Sequence, residues 1–563
     1  MARTISIGAQ GFEDLRANGC FYVDKTSFVR DWWLARDQVT LVCRPRRFGK
    51  TLNLDTVRCF LSTEFAGRGE ELFGELDVWA DPDMRALQGT VPVVAMSFAK
   101  CKGATLDETL TGLKRVIRTA VEAHGYLHGS DTLTDGDRTF LARVSDDMDN
   151  ATAADAVNQL CLMLRHHWGV APVVLLDEYD SPMEVAWTHG YWDEASSFMR
   201  QLMNSTFKTN PALGRGLITG VTRVSRESIF SDLNNLSVVT ASTPLYQTCF
   251  GFTQDEVDEA LAEYGLGDRR QDVCDWYDGF VFDGHAHIYN PWSVTQFLQY
   301  GELRSYWANT SGNGLVSEVV RRGGARLKAD FEELMRGGTI EKVIDEQVVF
   351  SELATRPNAV WALLLAAGYV TTPGPVPYNL EETPRRLRLT NHEVELTFDR
   401  MAKGWFADAE DDWDDLARAL LAGDAEAATD FLADVTFYCM SSFDGARRPA
   451  ESEPERFYHG LVLGMLASLR GRWSVESNRE SGFGRYDVAL VPTDGAQGTD
   501  PAVVMEFKVF DRRRERTLED TVARARAQIE DKDYVSSLAA RGIAPDRIRT
   551  YGIAFRGKEV LVG

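Results

Sequence analysis

The chain has 563 residues, which predicts two to four domains rather than one core. Hydrophobic residues make up 44% and charged residues 26%, and no run of 18 apolar residues occurs, so a globular protein with no membrane partner is expected. A net charge of −23 excludes coating of nucleic acid by the whole surface, although it leaves room for a local basic groove.

The N-terminal "MARTISIGAQGFEDL" lacks the apolar centre of a secretory signal. Eight cysteines without a C-x-x-C pair predict a cytoplasmic protein with neither a disulfide framework nor a zinc site. Residues 1 to about 235 alternate strand and helix signals. Strands are expected near Val39–Cys43, Val91–Ser97, Val173–Leu176 and Gly216–Thr219, with helices around Leu106–His124 and Ala151–His167. This alternation predicts a parallel sheet covered by helices on both faces.

The first strand runs into "RPRRFGKT", which matches the phosphate-binding pattern G-x-x-x-x-G-K-[ST] except that Arg44 stands at the first glycine. In such a loop backbone N–H groups and a helix N-terminus hold phosphate oxygens, Lys50 reaches the terminal phosphates and Thr51 ligates Mg²⁺. The alternative is an ordinary strand-to-helix turn. "APVVLLDEYD" supplies the second half of the chemistry, because its apolar strand ends in Asp177 and Glu178. Asp177 is expected on the Mg²⁺ ion, and Glu178 as general base toward the attacking water.

Further along, His285 and His287 read as a surface turn, because no third ligand accompanies them. The stretch 355–391 reads as a helix followed by a strand pair, a small winged-helix-like module. An acidic helical segment spans about 408 to 440, and "DGARRPAESEPE" reads as a linker. The basic clusters "RPRRFGK", "PRRLRL" and "DRRRER" are weighed as binding sites against solvated loops.

The last 130 residues carry a different pattern. Asp487 lies in the strand "RYDVALVP", while Glu506 and Lys508 lie on one face of "AVVMEFKVF". Two carboxylates and a lysine in this arrangement suit a metal-dependent phosphodiesterase. The alternative is a β-meander with exposed charges, but the valines and Met505 around Glu506 and Lys508 argue for held charges. Glu455, Glu476 and Glu480 are additional acids upstream, and one helix, "TLEDTVARARAQIEDKDYVSSL", is expected to carry both Gln528 and Tyr534.

Taken together, "GFEDLRANGCFYVDKTSFVRDW", "RPRRFGKTLNL", "LLDEYDSP", "ITGVTRVSRESIFSDLNNL", "YNPWSV", "YWANTSGN", "FYHGLVLGML", "ESGFGRYDVAL" and "VVMEFKV" resemble the bacterial family that joins an AAA-ATPase-like N-terminal domain to a C-terminal PD-(D/E)XK nuclease-superfamily domain. The resemblance implies an α/β chain with a P-loop ATPase at 1–310 and a restriction-endonuclease-like domain at 431–563, and the helix and strand pair read above make 311–430 a mostly helical, winged-helix-like region between them. It implies ATP and Mg²⁺ as cofactors, with Mn²⁺ an alternative at the nuclease site, and nucleic acid as substrate. Arg46, Arg47, Phe48, Gly49, Lys50, Thr51 and Leu52 become nucleotide contacts, with Asp177 and Glu178 in the metal and base positions. Arg46 and Arg47 add positive charge around the phosphates or else face a partner or solvent. Thr222 would sense the terminal phosphate, and Arg223 or Arg226 would act as an arginine finger, in cis or toward a second copy in a homo-oligomer. The segment Tyr22–Thr26 is a candidate lining of the base pocket. Asp487, Glu506 and Lys508 take the nuclease positions, and Gln528 resembles the helix glutamine of some members. An ATP-regulated nuclease, in defence or mobile-element biology, is the leading expectation. The competing one is a nucleotide-driven switch or scaffold whose last domain binds without cutting.

Overall fold

The structure, a computed structural model, describes residues 2–222, 229–230, 233–307, 325–335, 337–346, 358–374, 383–404, 413–440, 462, 473–477, 480–481, 484–485, 487–493, 498–511, 514–556 and 559–563. These fall into two compact units, one drawn from Met1–Val319 and Gly337–Thr397, the other from Val320–Arg336 and Phe398–Gly563.

In the first unit five strands, β1 (Val39–Cys43), β2 (Val93–Ser97), β3 (Val173–Asp177), β4 (Arg215–Gly220) and β5 (Leu236–Val239), form a parallel sheet in the order β2-β3-β4-β1-β5. β1 and β3 are buried along their whole length, as their unbroken apolar, β-branched sequences require in a sheet covered on both faces. The helices Leu106–Glu122 and Asn150–Trp168 join β2 to β3. The order places β4 between the strand that leads into the phosphate loop and the strand that ends in acids. At the end of β4 a Cβ on Gly220 would lie 2.6 Å from the Tyr179 ring, so the tyrosine after the acids packs where only glycine leaves room.

A second, three-stranded sheet follows, built from β6 (Phe252–Thr253), β7 (Asp278–Phe282) and β8 (His285–Tyr289). His285 and His287 therefore stand in a strand rather than a turn, and His287 Nδ1 lies 2.6 Å from Asp278. The tight return Asp283-Gly284 shortens the loop below what the polar composition of this stretch suggests. The strand pair expected near residue 370 is present as β10 (Val370–Thr371) and β11 (Arg385–Leu389), and a third strand, β9 (Ile340–Lys342), joins it on the far side. Within "PRRLRL", Arg386 and Arg388 are exposed, whereas Arg385 is buried against Glu346 at 2.6 Å. The helix Ala359–Ala367 precedes β10 in the first unit, whereas Trp413–Ala422 and Ala425–Met440, within the stretch expected to connect the domains and across its end, belong to the second unit.

The second unit is built on a mixed sheet of β12 (Trp473–Ser477), β15 (Val488–Pro492), β16 (Ala502–Val509), β17 (Ile548–Arg556) and β18 (Glu559–Val562) in that order, with a short hairpin of β13 (Glu480–Ser481) and β14 (Gly484–Arg485) beside it in sequence. β16 and β17 are parallel, and the helix Leu518–Asp531 belongs to the connection between them. Period-two alternation divides the sheet. Val488, Leu490, Met505 and Phe507 face one apolar cluster, while Ala489, Val491, Val504 and Tyr534 belong to the other. Gln528 and Tyr534 do not share a helix. Asp533, at φ 52°, separates Leu518–Asp531 from Tyr534–Ala540, because a left-handed residue cannot continue a right-handed helix. Among the described residues no helix is long and apolar enough to cross a membrane.

Candidate functional sites

Between β1 and the helix Lys50–Leu61 the backbone turns through two left-handed residues, Arg47 (φ 64°) and Gly49 (φ 78°). No side chain caps this helix N-terminus, so its first N–H groups remain available to an anion. Lys50 Nζ donates to the carbonyls of Arg44 (2.9 Å) and Pro45 (2.7 Å) and is buried. Desolvation lowers its pKa, against the pull of Asp177, Asp180 and Glu178. Thr51 Oγ1 donates to Asp177 Oδ2 at 2.7 Å, so the two residues expected to share a cation touch. The other carboxylate oxygen of Asp177 accepts from Thr219 on β4. Burial raises the Asp177 pKa, and the hydroxyls of Thr219 and Thr51 oppose that shift.

Arg44 is fully buried. Its guanidinium donates to the carbonyls of Cys43 (3.0 Å), Leu245 (3.3 Å) and Tyr246 (3.4 Å) and lies 4.6 Å from the Phe282 ring centroid. Desolvation lowers its pKa to about 10. The residue at the first-glycine position thus ties the loop to chain 200 residues away rather than lying in a solvated loop. Arg46 pairs with Glu184 at 2.6 Å, and its carbonyl accepts from the Trp307 indole (3.0 Å) and Asn290 (3.3 Å). The Arg47 guanidinium stacks 3.7 Å above Trp292. Phe48 is buried against Phe280 and Phe282.

A cavity of about 420 Å³ opens beside the loop, within the range of small-molecule sites. Arg46 to Leu52, Glu178 and Trp292 contribute to its lining, as do Tyr22, Val23 and Lys25 from the segment read as a base pocket. Thr222 Oγ1 donates to Asp180 at 3.1 Å, and Asp180 also accepts the N–H groups of Val221 and Thr222 at 2.9 Å each. Arg223 and Arg226 lie outside the described residues. Sequence reasoning missed Thr219, Asp180, Glu184 and Trp292. Only Asp180 had a local signal, as the third acid of "DEYD".

A cationic side chain at the helix start beside an uncapped turn carries much of the attraction for a polyphosphate. Lys50→Ala is therefore expected to weaken ATP binding at least about tenfold, about 1.4 kcal/mol, by titration calorimetry. Unchanged affinity would place the nucleotide elsewhere.

In the second unit Asp487, one residue before β15 rather than within it, stands beside β16, which carries Glu506. Asp487 Oδ2 accepts the Phe507 N–H at 2.9 Å, which sets its carboxylate beside the strand that carries Glu506. Glu506 is 1% exposed. Its Oε1 accepts from Lys508 Nζ at 2.9 Å and from Gln528 Nε2. Its Oε2 is buried without a hydrogen-bond partner, and a buried carboxylate oxygen with no donor is a fit for a cation. Tyr534 in turn hydrogen-bonds Gln528. Among the described residues no group of three or more His, Cys, Asp or Glu side chains comes together as a metal cage. Glu476, offered by the sequence as a further acid, is taken up by Arg541 through two contacts of 2.8 and 3.0 Å. Glu455 and the Glu480 side chain lie outside the described residues.

Desolvation, with Asp487 next, raises the Glu506 pKa to about 7 from an ordinary 4.5. Between these values the folded chain keeps a proton that the unfolded chain has released, so stability falls as pH rises through that window. Glu506→Gln removes this cost. Without divalent cation it is expected to melt above the wild type at pH 8, with the gap closing toward pH 4, by calorimetry. A variant that melts below the wild type at pH 8 would show that Glu506 is stably ionised in the fold.

Residues 6–230 match the family model described as "Predicted AAA-ATPase", and residues 453–563 match that of the PD-(D/E)XK nuclease superfamily. The chain is also 26% identical over 575 residues to "Uncharacterized protein in vnfD 5'region" of Azotobacter chroococcum mcd 1, with 100% of this chain and 98% of that protein covered.

Proposed function

Because the chain joins a domain of the predicted AAA-ATPase family to a domain of the PD-(D/E)XK nuclease superfamily, we propose that it binds and hydrolyses ATP in its first unit and cuts nucleic acid in its second, with nucleotide state governing the cut. In the first site Lys50 and the helix N-terminus neutralise and orient the phosphates. Thr51 and Asp177 hold Mg²⁺, and Glu178 draws the proton from the attacking water. In the second site Asp487 and Glu506 hold Mg²⁺ or Mn²⁺. A cation held by these two residues would supply a water of lowered pKa and offset charge on the scissile phosphate. Lys508 holds Glu506 by one oxygen and offers its ammonium to the phosphate.

The observation that carries the nuclease half is the saturation of one Glu506 oxygen by Lys508 and Gln528 while the other, beside Asp487, has no donor. Most buried polar side-chain atoms have a hydrogen-bond partner, and a cation between Asp487 and Glu506 would supply the one this oxygen lacks. The acidic balance of the chain, a net charge of −23, leans toward a second reading, a nucleotide switch whose last domain binds without cutting. Incubation of the protein with labelled DNA and RNA, Mg²⁺ or Mn²⁺, and ATP separates the two. Products that vanish on chelation support cutting, whereas retention on nucleic acid without products supports the switch.

A further inference from the structure

Glu178 is one of seven described non-glycine residues with positive φ, at 49°. A glutamate in this region is strained relative to an extended one, and such strain persists only where neighbours enforce it. The neighbours here are identifiable. Tyr179 donates its hydroxyl to the Thr222 carbonyl at 2.8 Å, and Asp180 accepts the Val221 and Thr222 N–H groups. The two residues after Glu178 are thereby pinned to the end of β4. The next residue, Ser181, opens the helix Ser181–His189 and is 5% exposed. Its N–H donates to the Glu178 carbonyl at 3.2 Å, and its Oγ donates to Glu178 Oε2 at 3.0 Å.

The N-cap position of this helix belongs to Asp180, so the Ser181 hydroxyl, one residue further in, has no capping duty. Ser181 spends its one hydroxyl proton on a carboxylate. Both residues line the cavity beside the phosphate loop. Glu178 Oε1 has no hydrogen-bond partner among the described residues. We infer that Ser181 is a positioning residue for hydrolysis: it fixes the Glu178 carboxylate by Oε2 so that Oε1 faces the attacking water. This rests on the reading of Glu178 as the base. A carboxylate left to rotate would present a proton acceptor in the right place only part of the time, and proton abstraction is steeply sensitive to such placement.

The test is steady-state ATP turnover with Mg²⁺ for the wild type, S181A, S181T, E178Q and the double variant S181A/E178Q. S181A is expected to lose about tenfold in kcat with KM within about twofold, because it leaves the phosphate contacts alone. S181T, which keeps the hydroxyl, recovers most of the loss. In the E178Q background S181A costs nothing further, because the carboxylate it serves is gone. A purely structural serine gives a different pattern, with KM rising alongside the fall in kcat, no rescue by threonine, or losses that multiply in the double variant. Any of these overturns the inference, as does S181A turning over at the wild-type rate while E178Q is inactive. Wild-type turnover by E178Q overturns the base assignment and this inference together.

Discussion

Replacing Asp487 or Glu506 by alanine is expected to abolish divalent-dependent cleavage, a loss on the order of a thousandfold or more in a gel assay with end-labelled nucleic acid. Among the described residues the fold brings these two carboxylates together there, and they are mutually dependent. Asp487 Oδ2 holds the N–H of Phe507, the residue after Glu506, and the Asp487 charge helps raise the Glu506 pKa. Removing either leaves a cation under-coordinated and its water unactivated. Lys508→Ala should cut less severely, because Gln528 still engages Glu506 and the lysine is not a ligand. All three variants should bind ATP as the wild type does. Full cleavage by the alanine variants would move the active site elsewhere in the chain.

Glu178→Gln is expected to bind ATP normally and hydrolyse it at least about a hundredfold more slowly, measured as phosphate release. The amide preserves shape and the Ser181 hydroxyl still finds an acceptor, but no proton acceptor of carboxylate strength remains. A wild-type rate would mean that the strained residue has a structural role and that the water is activated by another group.

The β1-loop-helix unit and the acidic end of β3 were legible because the signals are local: an apolar β-branched run, then loop chemistry at fixed spacing. What brings them into one site is not local. Thr219 reaches Asp177 because β3 and β4 are paired with Leu176 opposite Ile218, a register that no short motif announces. Arg44 reads as a solvated charge until Phe250 and Phe282 arrive from far along the chain to cover it. β5 escaped notice because it is short and mostly half-buried, without clear alternation. In the second unit Glu506 and Lys508 were legible as charges inside an apolar strand, whereas Asp487, expected within a strand, stands just before Val488–Pro492. The break at Asp533 was not legible, because helix-forming residues flank it and only the backbone conformation ends the helix. The Arg541 partner of Glu476 stands 65 residues downstream, beyond any spacing rule.

The claim that one chain couples nucleotide turnover to nucleic-acid cleavage is tested most directly by following cleavage and phosphate release together in one reaction. The reaction holds full-length protein, a mixed set of single- and double-stranded DNA and RNA, Mg²⁺ or Mn²⁺, and ATP, and it is run for the wild type, Lys50→Ala and Glu506→Ala. The account predicts cleavage by the wild type that responds to ATP, loss of that response in Lys50→Ala, and phosphate release without cleavage in Glu506→Ala. Cleavage of identical rate in all three proteins, or no cleavage of any substrate by the wild type with ATP and either cation present, would contradict it.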